Sequence, residues 1–332
     1  MERDRGQKRG KRWLPICLIM IGTIALFLGA GQMTVRQDKK QFIPIEKNQH
    51  PPQAGTEENT GPQPVLGVET SIVHIGEGGE KDHVDQGKAG REATGSIAEK
   101  IPVLMYHHML RDEENKLFKE NGAVIGVDKF EEQMKFLHEQ GFHTITLAEM
   151  EKFLDKEITL PEKSLLITFD DGYLSNYIYA YPILKKYGLK AAVFMITAEV
   201  AGTPQPFDPD ALTRFSWEEM EKSKDVFEFE SHTHAMHSKA DGVAYLLCKS
   251  DQKIKEDLAV SKQLLSSKYF AYPYGAYNAA TIDILKDLGF KMAFTTKEGS
   301  VAQDSNPYEL KRYAIWPNTT LKKFKKIVGV AK

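Results

Sequence analysis

Cysteine is nearly absent from this chain: in 332 residues there are two, Cys17 and Cys248. The first lies in an apolar run and the second in a polar neighbourhood far away, which excludes a disulfide framework and a cysteine-ligated metal site. Excess charge of one sign is also missing. With 44 basic against 46 acidic side chains the net charge is −2, and no electrostatic footprint for nucleic acid results. No internal repeat marks the chain. Nor does a phosphate-cradling glycine loop or an arginine cluster accompany its acidic motifs, which argues against a phosphoesterase. Long hydrophobic runs are absent but for one, Leu14 to Gly31.

That run follows Arg3, Arg5, Lys8, Arg9, Lys11 and Arg12. Residues 1–13 therefore read as a basic cytoplasmic N-terminus, and 14–31 as a transmembrane signal-anchor or a signal peptide. Segment length favours the anchor, while Gly29, Ala30 and Gly31 offer a cleavage site for the signal peptide. No cysteine follows, which argues against a lipoprotein. The expected location is the cell membrane, single-pass with the catalytic domain outside, or secretion if the signal is cleaved. Residues 32–99 are dominated by Gln, Glu, Gly, Lys and Pro with scattered apolar positions. Such a stretch cannot bury enough surface to offset the entropy of ordering it, and it reads as a disordered linker.

From residue 100 to 332 the signals alternate. Strand-like apolar runs occur at 102–106, 144–146, 165–169, 191–196, 226–230, 269–272, 292–295 and 313–316, with amphipathic segments between most of them. Thr146-x-x-Glu149 and Ser216-x-x-Glu219 are capping boxes, and Gly141, Gly188 and Gly289 follow helical patterns where a glycine stop belongs. The lysine-rich end, Leu321 to Val328, reads as an amphipathic closing helix. Strand–helix alternation over this length predicts an α/β domain on a parallel sheet, a (β/α) barrel or a doubly wound sheet. In both, chemistry collects beyond the C-terminal ends of the strands.

Three such ends carry unusual residues. Leu165 to Phe169 reads as a buried strand and closes on Asp170-Asp171-Gly172. A strand interior would send consecutive side chains to opposite faces; at a strand end beside Gly172, both carboxylates can converge on one pocket. Two like charges so close repel, and a metal ion is the usual way to hold them together. The plainer alternative is an aspartate pair capping a helix that begins near Ser175. The next end is Ser231-His232-Thr233-His234-Ala235-Met236-His237, three histidines within six positions. Neutral imidazoles with one carboxylate suit a divalent metal, Zn2+ ahead of Co2+ or Ni2+. The third is Tyr272-Pro273-Tyr274-Gly275, a turn that can aim a backbone N–H into the pocket as an oxyanion donor.

Thr168-Phe169-Asp170-Asp171-Gly172, His232-Thr233 through His237, and Tyr272-Pro273-Tyr274-Gly275, in this order, resemble the signature of the polysaccharide deacetylases, the family-four carbohydrate esterases. The resemblance runs from about residue 101 to 316, so 100–332 would be the polysaccharide deacetylase domain. It implies a distorted (β/α) barrel of seven or eight strands and metal-dependent N-deacetylation of an acetylated amino sugar. Carried over, Asp170 is the general base, Asp171, His232 and His237 are the metal ligands, and the Tyr274 backbone N–H helps bind the oxyanion.

Two departures stand out. Most members space the histidine ligands four apart, which would fall on Met236; here the histidine is five along, as in the subgroup acting on poly-β-1,6-N-acetylglucosamine. His234 is the alternative ligand, although in extended chain it would point away from His232's face. Ala271 stands where the common motif has an arginine that holds the base, and Arg312 is the candidate replacement. In the same subgroup a histidine after the first-strand tyrosine acts as general acid, which makes His107 the candidate here, imidazole being suited to proton transfer near neutral pH. His108, His138 and His143 read as structural or solvent-facing. Trp316 and Tyr272 are candidates for sugar stacking or for core. The expected partner is an N-acetylglucosamine polysaccharide, with the membrane reached through the N-terminal segment. Rival readings are a peptidoglycan N-acetylglucosamine deacetylase and a catalytically silent glycan-binding barrel, the latter supported by the missing arginine.

Overall fold

A computed structural model describes residues 96–330. The expected N-terminal basic stretch, the 14–31 segment and nearly all of the 32–99 linker lie outside these residues. Among the described residues no helix is long and apolar enough to cross a membrane.

Eight strands share one sheet: β1 Val103–Tyr106, β2 His143–Thr144, β3 Ser164–Phe169, β4 Ala191–Met195, β5 Phe227–Ser231, β6 Tyr269–Ala271, β7 Met292–Phe294 and β8 Tyr313–Ala314. Their order is β7-β6-β5-β4-β3-β1-β8, with β2 on the early part of β3, and every pairing is parallel. The sheet curls. Just before β8 the chain returns to β7, where Thr295 N donates to Leu310 O at 2.7 Å and Leu310 N to Ala293 O at 3.0 Å. The expected distorted (β/α) barrel is thus present, as a curled sheet of seven ordered strands plus the short β2.

Period-two alternation fills both faces. Leu165, Ile167 and Phe169 of β3 join one cluster with Phe130, Met134, Ile183 and Leu184 of the outer helices. Leu166 points the other way, to Val103, Ala192, Phe194, Ala271 and Phe294. The helices covering the sheet include α1 Val127–Glu139, α2 Leu147–Leu154, α3 Tyr181–Lys186, α4 Trp217–Lys222, α5 Asp251–Leu265, α6 Ala279–Asp287 and α7 Leu321–Ile327. Both capping boxes form, Thr146 with Glu149 and Ser216 with Glu219. The segment before α3 begins as a π-helical turn, Asn176–Ala180, that runs into α3. The closing helix buries Phe324 and leaves its lysines outside the core.

Candidate active site

The strand alternation reaches into the site. Leu166 and Thr168 face the interior of the curl, and Asp170, two further on, continues along that side. It is buried. Arg312 meets it with both arms of its guanidinium, Nη1 to Oδ1 and Nη2 to Oδ2, each at 2.7 Å. The arginine is itself fully buried, and two further donors are used: Nε bonds Thr295 O at 2.9 Å and Nη1 also reaches Thr168 Oγ1 at 3.2 Å. Burial pushes the Asp170 carboxyl up, but the Arg312 charge and hydrogen bonds outweigh it and hold the group below the usual carboxylate range.

Asp171 ought to face away, since it is the next residue. The backbone brings it back: Asp171 has φ +71° and Gly172 φ +69°, the left-handed region that costs an ordinary residue ~1 kcal/mol or more. Glycine suits the second position, because its φ of +69° strains any other residue and a Cβ there would lie 2.6 Å from Met195 Cε, a side-chain tip that would have to shift. Neither aspartate caps the following helix.

What Asp171 turns toward is a pair of imidazoles. Its Oδ1 lies 3.4 Å from His232 Nε2 and 3.2 Å from His237 Nε2. His232 Nδ1 sits 2.7 Å from Ala271 O, a contact that only an N–H donor makes well, so its Nε2 presents a lone pair. His237 is pushed down to about 4 by burial and by the neighbouring His232, which keeps it neutral. Burial would raise the Asp171 carboxyl, but the closeness of the His232, His107 and His237 imidazoles holds it well below the usual carboxylate range. Oδ1 is buried yet has no hydrogen-bond donor. One oxygen and two nitrogens, within 4.8 Å of one another, thus face a common point with lone pairs and nothing to share. A cation resolves that repulsion, and one carboxylate with two imidazoles is a donor set suited to a divalent transition metal.

The triangle opens on a cavity of about 520 Å3 lined by His107, Asp170, Asp171, Tyr274, Thr296 and Trp316, among others. Tyr274 sits at φ +60° in the turn after β6, with Gly275 at φ +66°. A Cβ on Gly275 would come 2.1 Å from Thr296 Oγ1, so the turn closes onto Thr296 only with glycine. The Tyr274 hydroxyl lies 3.3 Å from both Nδ1 and the carbonyl of His237. Trp316 stays 40% exposed on the opposite strand end, whereas Tyr272 is wholly in the core.

All six residues read from sequence as site candidates, His107, Asp170, Asp171, His232, His237 and Tyr274, line this one cavity. His234, the alternative ligand, does not; its Nδ1 pairs with Thr197 Oγ1 at 3.0 Å. His108 is buried behind the site against Ser175 Oγ at 2.7 Å. Thr296 and Ala123 were not legible as lining residues, since nothing in their types or spacing marks them.

A family model described as Polysaccharide deacetylase matches residues 157–293. The chain is 33% identical over 224 residues to the Bacillus subtilis protein YxkH, whose name places it among polysaccharide deacetylases, covering 66% of this chain and 72% of that one. It is 34% identical over 198 residues to a poly-β-1,6-N-acetyl-D-glucosamine N-deacetylase of Staphylococcus aureus strain MRSA252, covering 58% and 67%. Among solved structures, the Streptococcus pyogenes deacetylase PplD in complex with acetate superposes with a TM-score of 0.59 at 27% identity, over 69% of this chain and 98% of that one.

Proposed function

The chain belongs to the polysaccharide deacetylases, enzymes that hydrolyse an amide, and from that membership we propose that it deacetylates N-acetylglucosamine residues of extracellular poly-β-1,6-N-acetylglucosamine. The observation that carries the proposal is the donor-free Asp171 Oδ1 facing two imidazole nitrogens, beside a carboxylate gripped by a buried arginine. The choice of polymer rests on the His232–His237 spacing, on His107 and on the likeness to the staphylococcal enzyme.

Asp171, His232 and His237 would hold a divalent cation, Zn2+ ahead of Co2+ or Ni2+. When bound, the cation supplies Lewis acidity that polarises the acetamide carbonyl and acidifies a water. Asp170 takes the proton from the attacking water through a lone pair that Arg312 leaves free. The Tyr274 N–H donates to the carbonyl oxygen as negative charge develops there. His107 passes a proton to the departing nitrogen. The C–N bond breaks, acetate leaves and a free amine remains on the polymer. The basic and apolar segments of residues 1–31 support action outside the cell membrane, anchored or released. The silent-barrel reading loses its one support, since Arg312 grips Asp170 through both of its carboxylate oxygens although Ala271 offers no arginine.

The test is acetate release from oligomers of β-1,6-linked N-acetylglucosamine and from peptidoglycan fragments, with metal content measured alongside. Asp170→Asn is expected to keep the cation and lose nearly all turnover; His232→Ala is expected to lose the cation. Undiminished acetate release by Asp170→Asn sinks the base assignment. Faster release from peptidoglycan overturns the polymer assignment and leaves the reaction standing.

A further inference from the structure

Four residues separate His232 from His237, and the chain must bring both rings back to one carboxylate. The path is fixed at several points. Thr233 takes φ +80°, an outlier for a β-branched residue. Its carbonyl and that of His234 accept from Thr197 N at 3.1 Å and Ala198 N at 3.0 Å, which ties one edge of the loop to the end of β4. Met236, four residues after His232, packs against the apolar cluster that includes Leu246, Leu258, Phe270 and Tyr272. The position that a four-residue spacing would use is thereby turned toward that cluster, half-buried, and does not line the cavity.

On the loop's other edge, no backbone acceptor among the described residues takes the His234 and Ala235 amides. Instead, two consecutive amides converge on one side chain: His234 N donates to Asp257 Oδ1 at 2.9 Å and Ala235 N to Asp257 Oδ2 at 2.7 Å. Asp257 lies midway along α5, and its carboxylate bonds these two amides and neither His232 nor His237. Hydrogen bonds to a carboxylate are stronger than neutral ones, and a pair on adjacent amides fixes direction as well as distance.

We propose that Asp257 is a positioning residue for the cation site: its carboxylate sets the loop so that His237, five residues on, meets Asp171 opposite His232. The inference rests on the cation reading of Asp171, His232 and His237. Without the carboxylate, one amide loses its acceptor and the loop can drift at the residues that precede His237, while Asp170 and Arg312 are untouched. Outer partners that orient metal ligands change affinity by ~10–100-fold when removed.

The metal-free full-length chain is titrated with Co2+ against a competing chelator, with the visible absorption of bound Co2+ recorded. Asp257→Asn puts an NH2 against one of the two N–H donors. It is expected to weaken Co2+ binding ~10–100-fold, to alter the Co2+ spectrum, and to regain most turnover at saturating Co2+ with the KM for polymer unchanged. If Asp257→Asn does not fold, Asp257→Glu, which keeps the charge but displaces it, is expected to show a smaller loss in the same direction. Wild-type affinity and an unaltered spectrum in the variant that folds overturn the inference while leaving the cation site intact. A wild-type chain that takes up no Co2+ sinks the cation reading and this inference together.

Discussion

Arg312 and Asp170, 142 residues apart, form a buried two-point ion pair in which each guanidinium nitrogen meets its own carboxylate oxygen at 2.7 Å. The fork leaves the carboxylate no rotational freedom, and Thr295 O holds the arginine in turn. A general base depends on that kind of fixity, because misplacement by about 1 Å can cost 100-fold in rate.

Arg312→Lys keeps a charge but not the fork. Turnover is expected to fall ~10–100-fold, with Co2+ affinity within about threefold of wild type, because the lysine cannot hold both oxygens. Arg312→Met leaves a buried carboxylate unpaired and is expected to cost about 3–5 kcal/mol of stability, read by chemical denaturation. Full turnover in Arg312→Lys would show that something else orients the base.

His234→Ala separates the two candidate second ligands. The ring of His234 pairs with Thr197 and does not line the cavity. The variant is expected to bind one Co2+ per chain like wild type, whereas His237→Ala is expected to lose it. Metal analysis of the purified variants decides, and the reverse pattern would exchange the roles.

Gly275→Ala and Gly289→Ala make a controlled pair. Both positions have left-handed backbone, at φ +66° and +75°, but a Cβ at Gly289 meets nothing within 4 Å while one at Gly275 runs into Thr296. Gly289→Ala is expected to cost about 1–2 kcal/mol from backbone conformation. Gly275→Ala is expected to cost roughly 2 kcal/mol more from overpacking, and to lower turnover by displacing the Tyr274 amide. Equal losses in the two melts would mean that Thr296 yields.

His108 predicts a pH dependence of stability. Burial, and then the charge of Arg214, push its imidazole down to about 4 from an ordinary 6.5. The unfolded chain therefore binds the extra proton first, so this contribution is complete above pH 6.5 and is lost as the pH falls toward 4. Its size between pH 7.5 and 5 is about 2 kcal/mol. His108→Gln should remove that part of the slope in urea denaturation at the two pH values. A variant as acid-sensitive as wild type would place the proton uptake elsewhere.

Local signals carried most of the fold. Residues 165–169 are apolar but for Thr168, which spends its hydroxyl on Leu104 O at 2.8 Å, and the run is a strand buried on both faces. Each capping box is closed by bonds between residues three apart, so Thr146 and Ser216 announce α2 and α4 without reference to the rest of the chain. The π-helical turn at Asn176–Ala180 left no such mark, since it buries Tyr179 and Ala180 in a cluster assembled from distant parts of the chain. The basic and apolar N-terminal segments remain sequence readings.

The sequence by itself determined the strand–helix alternation, the helix starts and the grouping of Asp170, Asp171, His232, His237 and Tyr274 at strand ends, because these depend on periods of two and 3.6 and on bonds spanning a few residues. Tertiary structure alone decided the partners. Arg312 reaches Asp170 because the chain returns from β7 to β8 across the mouth of the curl, and no local pattern encodes which distant cation arrives there. His237 rather than His234 faces Asp171 because Met236 packs, half-buried, against an apolar cluster and Asp257, on another helix, catches the intervening amides. A side chain's direction in an irregular loop is set by what packs against it, and that is known only once the whole sheet has closed.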